Sequence, residues 1–306
     1  MKIRIATFNC ENLFARFRFR DDFSPQEASQ DGFTVNDVVF NFHDRAKRLI
    51  TANAIKALNA DTIALQEAEN LDVLERFRNE FLGGFREFPH MMLVDGNDPR
   101  FIDVAILSRH PIVHVRSFQH LKTSPQSRSF VFSRDCLEAD IDFGGMTITL
   151  YVNHFKSMIG GRANTRPKRL MQVQAVKNLV TQRFGSSSPG LKPFIVLGDF
   201  NDYIEDGDEA ASGLPELVQW EQVENVVTRL DPDEQWTHYF AGGNEYRQLD
   251  YILISEVLKP RVTSVEIERR GMPKRATRFT GARFRGVGQD NPKASDHCPV
   301  VVELNV

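Results

Sequence analysis

Apolar residues along this chain fall into short runs, and several runs stop at a polar residue. Ile3-Arg4-Ile5-Ala6-Thr7-Phe8 stops at Asn9, Thr62-Ile63-Ala64-Leu65-Gln66 at Glu67, the run from Thr147 to Asn153 at His154, and Phe194-Ile195-Val196-Leu197-Gly198 at Asp199. Two runs have the reverse order: Asp250 precedes Tyr251-Ile252-Leu253-Ile254, and Asp296-His297 precede Pro299-Val300-Val301-Val302. Short runs rich in β-branched residues predict buried strands. Further strands are expected at 103–108, 112–118, 136–142, 146–152, 194–198, 236–240, 250–255, 262–268 and 299–305. The alternation of Leu137, Ala139, Ile141 and Phe143, followed by Gly144-Gly145, predicts a hairpin. Helical spacing appears at 43–59 (Ala46, Leu49, Ile50, Ala54, Ile55, Leu58), at 71–82 (Leu71, Leu74, Phe77, Phe81) and at 166–184 (Leu170, Val173, Val176, Val180). Residues 14–42 are polar, Phe-rich and weakly periodic, which predicts a long loop with a short hairpin. Residues 202–235 are acidic and loop-rich with a short helical piece.

The polar residues at the run ends constrain the sheet. Asn9, Glu67, His154 and Asp199 follow strands, whereas Asp250, Asp296 and His297 precede them. An all-parallel sheet collects such residues at one kind of strand end. One site can draw on both kinds only if some strands run antiparallel, so the expectation is an α/β fold of mixed sheets with one shared rim.

Composition adds bounds. The 306 residues show no repeat and no convincing linker, so residues 1–306 are expected to form a single domain. A net charge of −3 does not suggest a nucleic-acid binder, although local patches decide binding rather than the average. Cys10, Cys136 and Cys298 are too few and too scattered for a disulfide framework or a zinc site, and read as buried thiols in a reducing compartment. No apolar run is long enough to span a membrane, and the first strand leaves no room for a removable leader. A cytoplasmic monomer with no membrane partner is expected.

The rim residues suggest chemistry. Glu67 and Asp296 are hard oxygen donors and Asn9 carries an amide oxygen, a set suited to Mg²⁺ or Mn²⁺. Asp199 and Asn201, two apart, point to the same side of an extended segment. There they can orient a water and bond a phosphorane-like transition state. His297 can serve a scissile phosphate, with Asp250 on its other ring nitrogen, while His154 and Lys156 bring donors to the non-bridging oxygens. This is the toolkit of metal-assisted phosphate ester hydrolysis.

The ordered set TFNCENLF, LQE, NHFKS, GDFN, LDYILIS and SDHCPV resembles the endonuclease/exonuclease/phosphatase superfamily with the deoxyribonuclease I-like fold, over nearly the whole chain. The opening and the NHFKS block look most like bacterial nucleases with an N-x-E-N-L-F start. The resemblance implies a four-layer α-β-β-α sandwich of two packed mixed sheets with outer helices. It implies Asn9, Glu67 and Asp296 at the metal positions, Asp199 and Asn201 as the water- and phosphate-positioning pair, and His154 and His297 as the two histidines. Asp250 would orient a histidine, and Asp103 lies near the position that supports the first one. Ala68-Glu69-Asn70 after LQE departs from the apurinic endonucleases, and the surroundings of GDFN and LDY depart from the inositol polyphosphate phosphatases.

Charge outside the rim leaves alternatives open. Residues 269–285 hold Arg269, Arg270, Lys274, Arg275, Arg278, Arg283 and Arg285 with no acid, which points to polyanion binding, with Arg275, Arg278, Arg283 and Arg285 as substrate contacts. Arg16, Arg18 and Arg20 alternate with Phe17 and Phe19, and read as an amphipathic strand or a phosphate grip. Arg162, Arg166, Lys168 and Arg169 read as phosphate contacts or an exposed helix start, and Asn12 as a metal ligand or a turn cap. The other histidines, His238 among them, read as structural. The expected function is a divalent-metal-dependent nuclease acting on DNA, with RNA as a further substrate. The alternative is a phosphatase or phosphodiesterase acting on a small-molecule or lipid ester.

Overall fold

The computed structural model describes residues 1–14, 44–205, 207 and 209–306. The expected loop and hairpin at 14–42 and the Arg16–Arg20 alternation lie almost wholly outside these residues. In chain order the elements are β1 (Lys2–Leu13), α1 (Arg45–Leu58), β2 (Thr62–Ala68), α2 (Leu71–Phe81), β3 (His90–Leu93), β4 (Asp103–Ser108), β5 (Ile112–Ser117), β6 (Cys136–Asp142) and β7 (Thr147–His154). They continue with α3 (Arg162–Phe184), β8 (Phe194–Asp199), α4 (Pro215–Val218), β9 (Val223–Asn225), β10 (His238–Phe240), β11 (Glu245–Arg247), β12 (Asp250–Ser255), β13 (Val262–Ile267) and β14 (Val300–Asn305).

Two six-stranded mixed sheets form, in the orders β13-β14-β1-β2-β4-β3 and β5-β6-β7-β8-β12-β9. They pack face to face because the central strands are apolar on both sides. In β1, Ile3 and Ile5 face the second sheet, while Ala6 and Phe8 face α1 and α2. In β8, Ile195 and Leu197 join the inter-sheet core, while Phe194 and Val196 lie under α3 with Val173, Val176 and Val180. This period-2 split of continuous apolar runs produces the four layers, helix, sheet, sheet, helix.

Within each sheet the direction reverses as the run-end argument requires. β1 runs parallel to β2 and β7 parallel to β8. β12 is antiparallel to β8, pairing Asp250 with Asp199, and β14 is antiparallel to β1. The ends of β1, β2, β7 and β8 thus meet the beginnings of β12 and β14 on one edge.

Three strands escaped the pattern. β9 and β11 have three residues each, and β3 is a half-buried edge strand without alternation. α3 begins at Arg162 rather than 166, with Pro167 inside it. The sequence favours proline as a helix start. Here Gly160 and Gly161 carbonyls accept bonds from Asn164 and Thr165, and these hold an extra turn ahead of it. Among the described residues no helix is long and apolar enough to cross a membrane.

Candidate active site

The rim is built by deliberate breaks in strand geometry. Pairing between β1 and β2 shifts after Asn9, and pairing between β2 and β4 shifts around Glu67. Glu67 adopts φ 64, the left-handed region, so the bulge lifts its carboxylate out of the sheet plane. Asn201 does the same at φ 52 beyond β8, and Glu11 and Asn12 at 48 and 63 beyond Asn9. Non-glycine residues held this way cluster at functional sites. Gly198 is required for a different reason. At φ 136 a Cβ there would lie 1.9 Å from the carbonyl oxygen of Asn153, so only glycine lets β8 lie against β7 and bring Asp199 beside His154.

Asp199 is the buried centre. Its Oδ2 accepts from Asn9 Nδ2 at 3.0 Å and Asn201 Nδ2 at 2.8 Å, and its Oδ1 accepts from the Asn201 backbone N–H at 2.8 Å. His154 Nε2 and His297 Nε2 face Oδ2 at 3.5 and 3.8 Å. His297 Nδ1 lies 2.9 Å from Asp250 Oδ2. Asp250 is itself fixed by its backbone N–H donating to Thr237 Oγ1. Glu67 accepts from Asn12 N–H at 2.9 Å, lies 3.4 Å from Asn9 Nδ2 and sits 3.9 Å from His154 Nε2.

These surroundings set protonation. Burial raises the Asp199 carboxyl to about 7, with the charge on His297 opposing and that on Asp250 adding. Burial alone would lower His297, but the carboxylates of Asp250 and Asp199 outweigh it and hold the ring well above its ordinary value. Burial, with Arg134 and His297 nearby, drives His154 well below, so it is neutral. The two histidines therefore carry different charges, and the environment assigns them different work. Burial and then the charge of Asp296 raise Glu67. Asp296 is held down at about 2: burial opposes, but His297, His238, Lys293 and Lys47 outweigh it.

The fold thus brings together Asn9, Glu67, His154, Asp199, Asn201, Asp250, Asp296 and His297. Asn9 donates through Nδ2 to Asp199 and accepts the Glu11 N–H through Oδ1 at 3.0 Å, which fixes its amide beside Asp199. One expected detail changes. Asp103 accepts the Gly96 N–H at 2.9 Å, and His154 Nδ1 has no hydrogen-bond partner among the described residues, so no support bond joins the two. Lys156 borders the site and its Nζ donates to Ser157 O at 3.1 Å.

In segment 269–285, which the sequence offers for polyanion binding, most cations are engaged by acids outside the segment or by carbonyls within it. Arg269 pairs with Glu234, Arg270 with Glu268, Arg275 with Asp290 and Arg278 with Asp233. Arg283 donates to the carbonyls of Met272, Ala276 and Phe279 at 3.0, 2.7 and 3.1 Å, which makes it a brace of its own loop. Arg285 and Lys274 are exposed and have no ion pair among the described residues. The cluster at the head of α3 is likewise structural: Arg162 and Arg169 both bind the buried Asp202 at 2.8 Å.

Sequence reading missed His238. On the β10–β11 hairpin it bridges His297 in register, its ring centroid lies 4.6 Å from that of His297, and its Nε2 is 3.9 Å from Asp296 Oδ2. His238, Asp296 and His297, and separately Asp199, Asp250 and His297, have ligand-capable atoms within 4.8 Å of one another. Its sole signal was position, one residue beyond Thr237, which anchors Asp250.

The donor chemistry fits a divalent cation. Two carboxylates, Glu67 and Asp296, are close enough that one raises the other, an unfavourable arrangement that a dication between them would relieve.

Solved structures share this fold at low identity. Truncated TDP2 of Caenorhabditis elegans is 16% identical, covers 100% of this chain and 98% of its own, and has a TM-score of 0.62. The mannosyl-6-phosphatase of Bacteroides thetaiotaomicron VPI-5482 is 14% identical with coverage of 99% and 100% and a TM-score of 0.61. The human Nocturnin catalytic domain with bound sulfate is 16% identical with coverage of 99% and 94% and a TM-score of 0.58. No curated protein matches the chain by sequence. The family model for the endonuclease/exonuclease/phosphatase family matches residues 4–305, and with that match over nearly the whole chain the protein belongs to this family of phosphoric ester hydrolases.

Proposed function

We propose that the protein is a divalent-metal-dependent nuclease that hydrolyses phosphodiester bonds in DNA. The observation that carries this reading is the Asp199 cradle: a buried carboxylate fixed by three hydrogen bonds and flanked by one charged and one neutral histidine. Asp199 takes a proton from water as the water oxygen bonds to phosphorus. The bond from phosphorus to the leaving ester oxygen breaks, and that oxygen takes a proton from solvent. Asn9 and Asn201 keep Asp199 aimed at the water. His297, charged and held by Asp250, donates to a non-bridging oxygen as negative charge builds there. His154, neutral, presents its Nε2–H to the same phosphoryl group. Glu67 and Asp296 would hold Mg²⁺ or Mn²⁺, which supplies charge neutralisation at the phosphate when bound.

A second reading, hydrolysis of a small phosphate ester, gains support from the ion pairs that occupy Arg269, Arg270, Arg275 and Arg278. One experiment separates the two. Labelled duplex DNA, single-stranded DNA, RNA and a small chromogenic phosphodiester are incubated with and without Mg²⁺ or Mn²⁺. Metal-dependent cleavage of DNA supports the nuclease. Turnover of the small ester alone would replace it with the second reading.

A further inference from the structure

The rim has a second cationic wall, assembled from three separate loops rather than one charged segment. Arg134, from the loop before β6, is 3% exposed and donates through Nη1 to the carbonyl of Phe155 at 3.1 Å. That carbonyl also accepts Asn201 Nδ2 at 3.2 Å, so the guanidinium stands next to the Asp199 cradle. Lys156 follows Phe155 directly. Arg100, from the loop before β4, chelates Asp98 through two bonds of 3.0 Å, and Asp98 also pairs with Arg134 at 3.1 Å. One carboxylate thus serves two guanidiniums, and among the described residues no ion pair within 4.0 Å involves Lys156, so these four side chains carry an excess of positive charge.

Beside them stands an unusual aromatic residue. Phe101 has φ 56, a strained conformation for a bulky side chain, and is 61% exposed. The turn is held by its own N–H donating to Asp98 O at 3.1 Å, so the carboxylate that gathers the arginines belongs to the turn that turns the ring outward. No ring or cation packs on Phe101 among the described residues. Asp103, two residues on, opens β4 opposite Ala68, which places this loop next to Glu67. Folding gives no reason to hold a phenyl ring in solvent at the cost of backbone strain, whereas a flat apolar face beside cations suits a nucleotide.

We infer that Phe101, Arg100, Arg134 and Lys156 form a subsite for the nucleotide next to the scissile bond, with Phe101 stacking its base and the cations meeting its phosphate. The occupant is a single-stranded or locally frayed nucleic-acid strand, since a base inside a duplex offers no free face. The inference rests on the nuclease reading and extends it.

The test uses full-length protein carrying Asp199→Asn, to bind without turnover, and a fluorescent single-stranded oligonucleotide. Phe101→Ala should weaken binding by roughly 5- to 150-fold, the range that stacking of one base spans. Phe101→Trp should restore it. Arg100→Ser, at an exposed position, should flatten the salt dependence by about 0.7 log unit per decade of salt, the loss of one single-strand phosphate contact. In otherwise wild-type protein, Phe101→Ala should lower kcat/KM for the oligonucleotide at least about tenfold more than for the small chromogenic diester, the size of a weak-to-moderate stacking term. Equal loss on both substrates, or none on either, would overturn the subsite while leaving the nuclease reading intact. Turnover of the small ester without cleavage of any nucleic acid would overturn both.

Discussion

The catalytic rim and the 269–285 segment are both polar, both rich in charge and close together through the β10–β11 hairpin, yet they use charge in opposite ways. At the rim, polar and charged groups are buried or half-buried and left incompletely matched. Glu67 and Asp296 repel, His154 keeps a bare Nδ1, and Asp250 keeps a bare Oδ1. In the segment, five of the seven cations, Arg269, Arg270, Arg275, Arg278 and Arg283, have found acids or carbonyls. Unmatched buried charge is costly in the resting protein and useful to a reaction that brings its own charge, whereas matched charge serves the fold.

The largest effects should come from breaking the unmatched side. Asp199→Asn keeps the shape and removes the base. We expect kcat to fall about 10²- to 10⁴-fold, the usual worth of a general base, with substrate affinity near wild type, read by steady-state kinetics and equilibrium binding. Normal turnover would remove Asp199 from its role. Glu67→Ala, or EDTA on the wild type, should lower turnover by a comparable amount with little change in melting temperature, because Glu67 stands on a bulge outside the core. Full activity in the chelator would end the metal mechanism. His297→Ala should cost about 10²- to 10³-fold in kcat, the scale of one transition-state hydrogen-bond donor.

The pH dependence sharpens the same point. Asp199 must be deprotonated to accept a proton, and its folded value stands at about 7. Its active fraction therefore drops tenfold per unit below that value, and the rate should fall with an acid limb that disappears in Asp199→Asn. A flat profile from pH 5 to 8 in the wild type would mean that another group is the base.

Smaller effects test the matched side. Arg283→Ala leaves three carbonyls without their donor and should cost about 1–3 kcal/mol of stability, seen in denaturant melts, before it costs any DNA binding. Arg285→Ser should do the reverse, leaving stability within about 0.5 kcal/mol, as exposed substitutions usually do. It should lower the salt slope of duplex binding by about 0.9 per contact. If both variants behave alike, the contrast between brace and contact is wrong for this segment.

Much of the rim was legible before any coordinates. Motif order carried the family resemblance, and polar residues on opposite strand ends required mixed sheets, which the pairing of Asp250 with Asp199 bears out. His238 was not legible, because a lone histidine in a short strand carries no sign of its neighbour. Arg134 and Arg100 were not legible either, since each sits in an irregular loop and meets the site only through Asp98 and Phe155.

The sequence by itself determined the mixed sheets and the location of the rim, and its motifs carried the resemblance that implies the layers. An abrupt polar residue marks where a strand emerges, and such residues on opposite strand ends require strands of both directions. Tertiary structure alone decided which charges are free. Pairing depends on groups far apart in the chain, such as Arg278 with Asp233 or Arg183 with Asp140, and Coulomb attraction acts through space rather than along the sequence. A run of like charge can therefore end up neutralised by acids brought from elsewhere, while cations scattered over three loops can gather, only partly balanced, at one edge of a catalytic site.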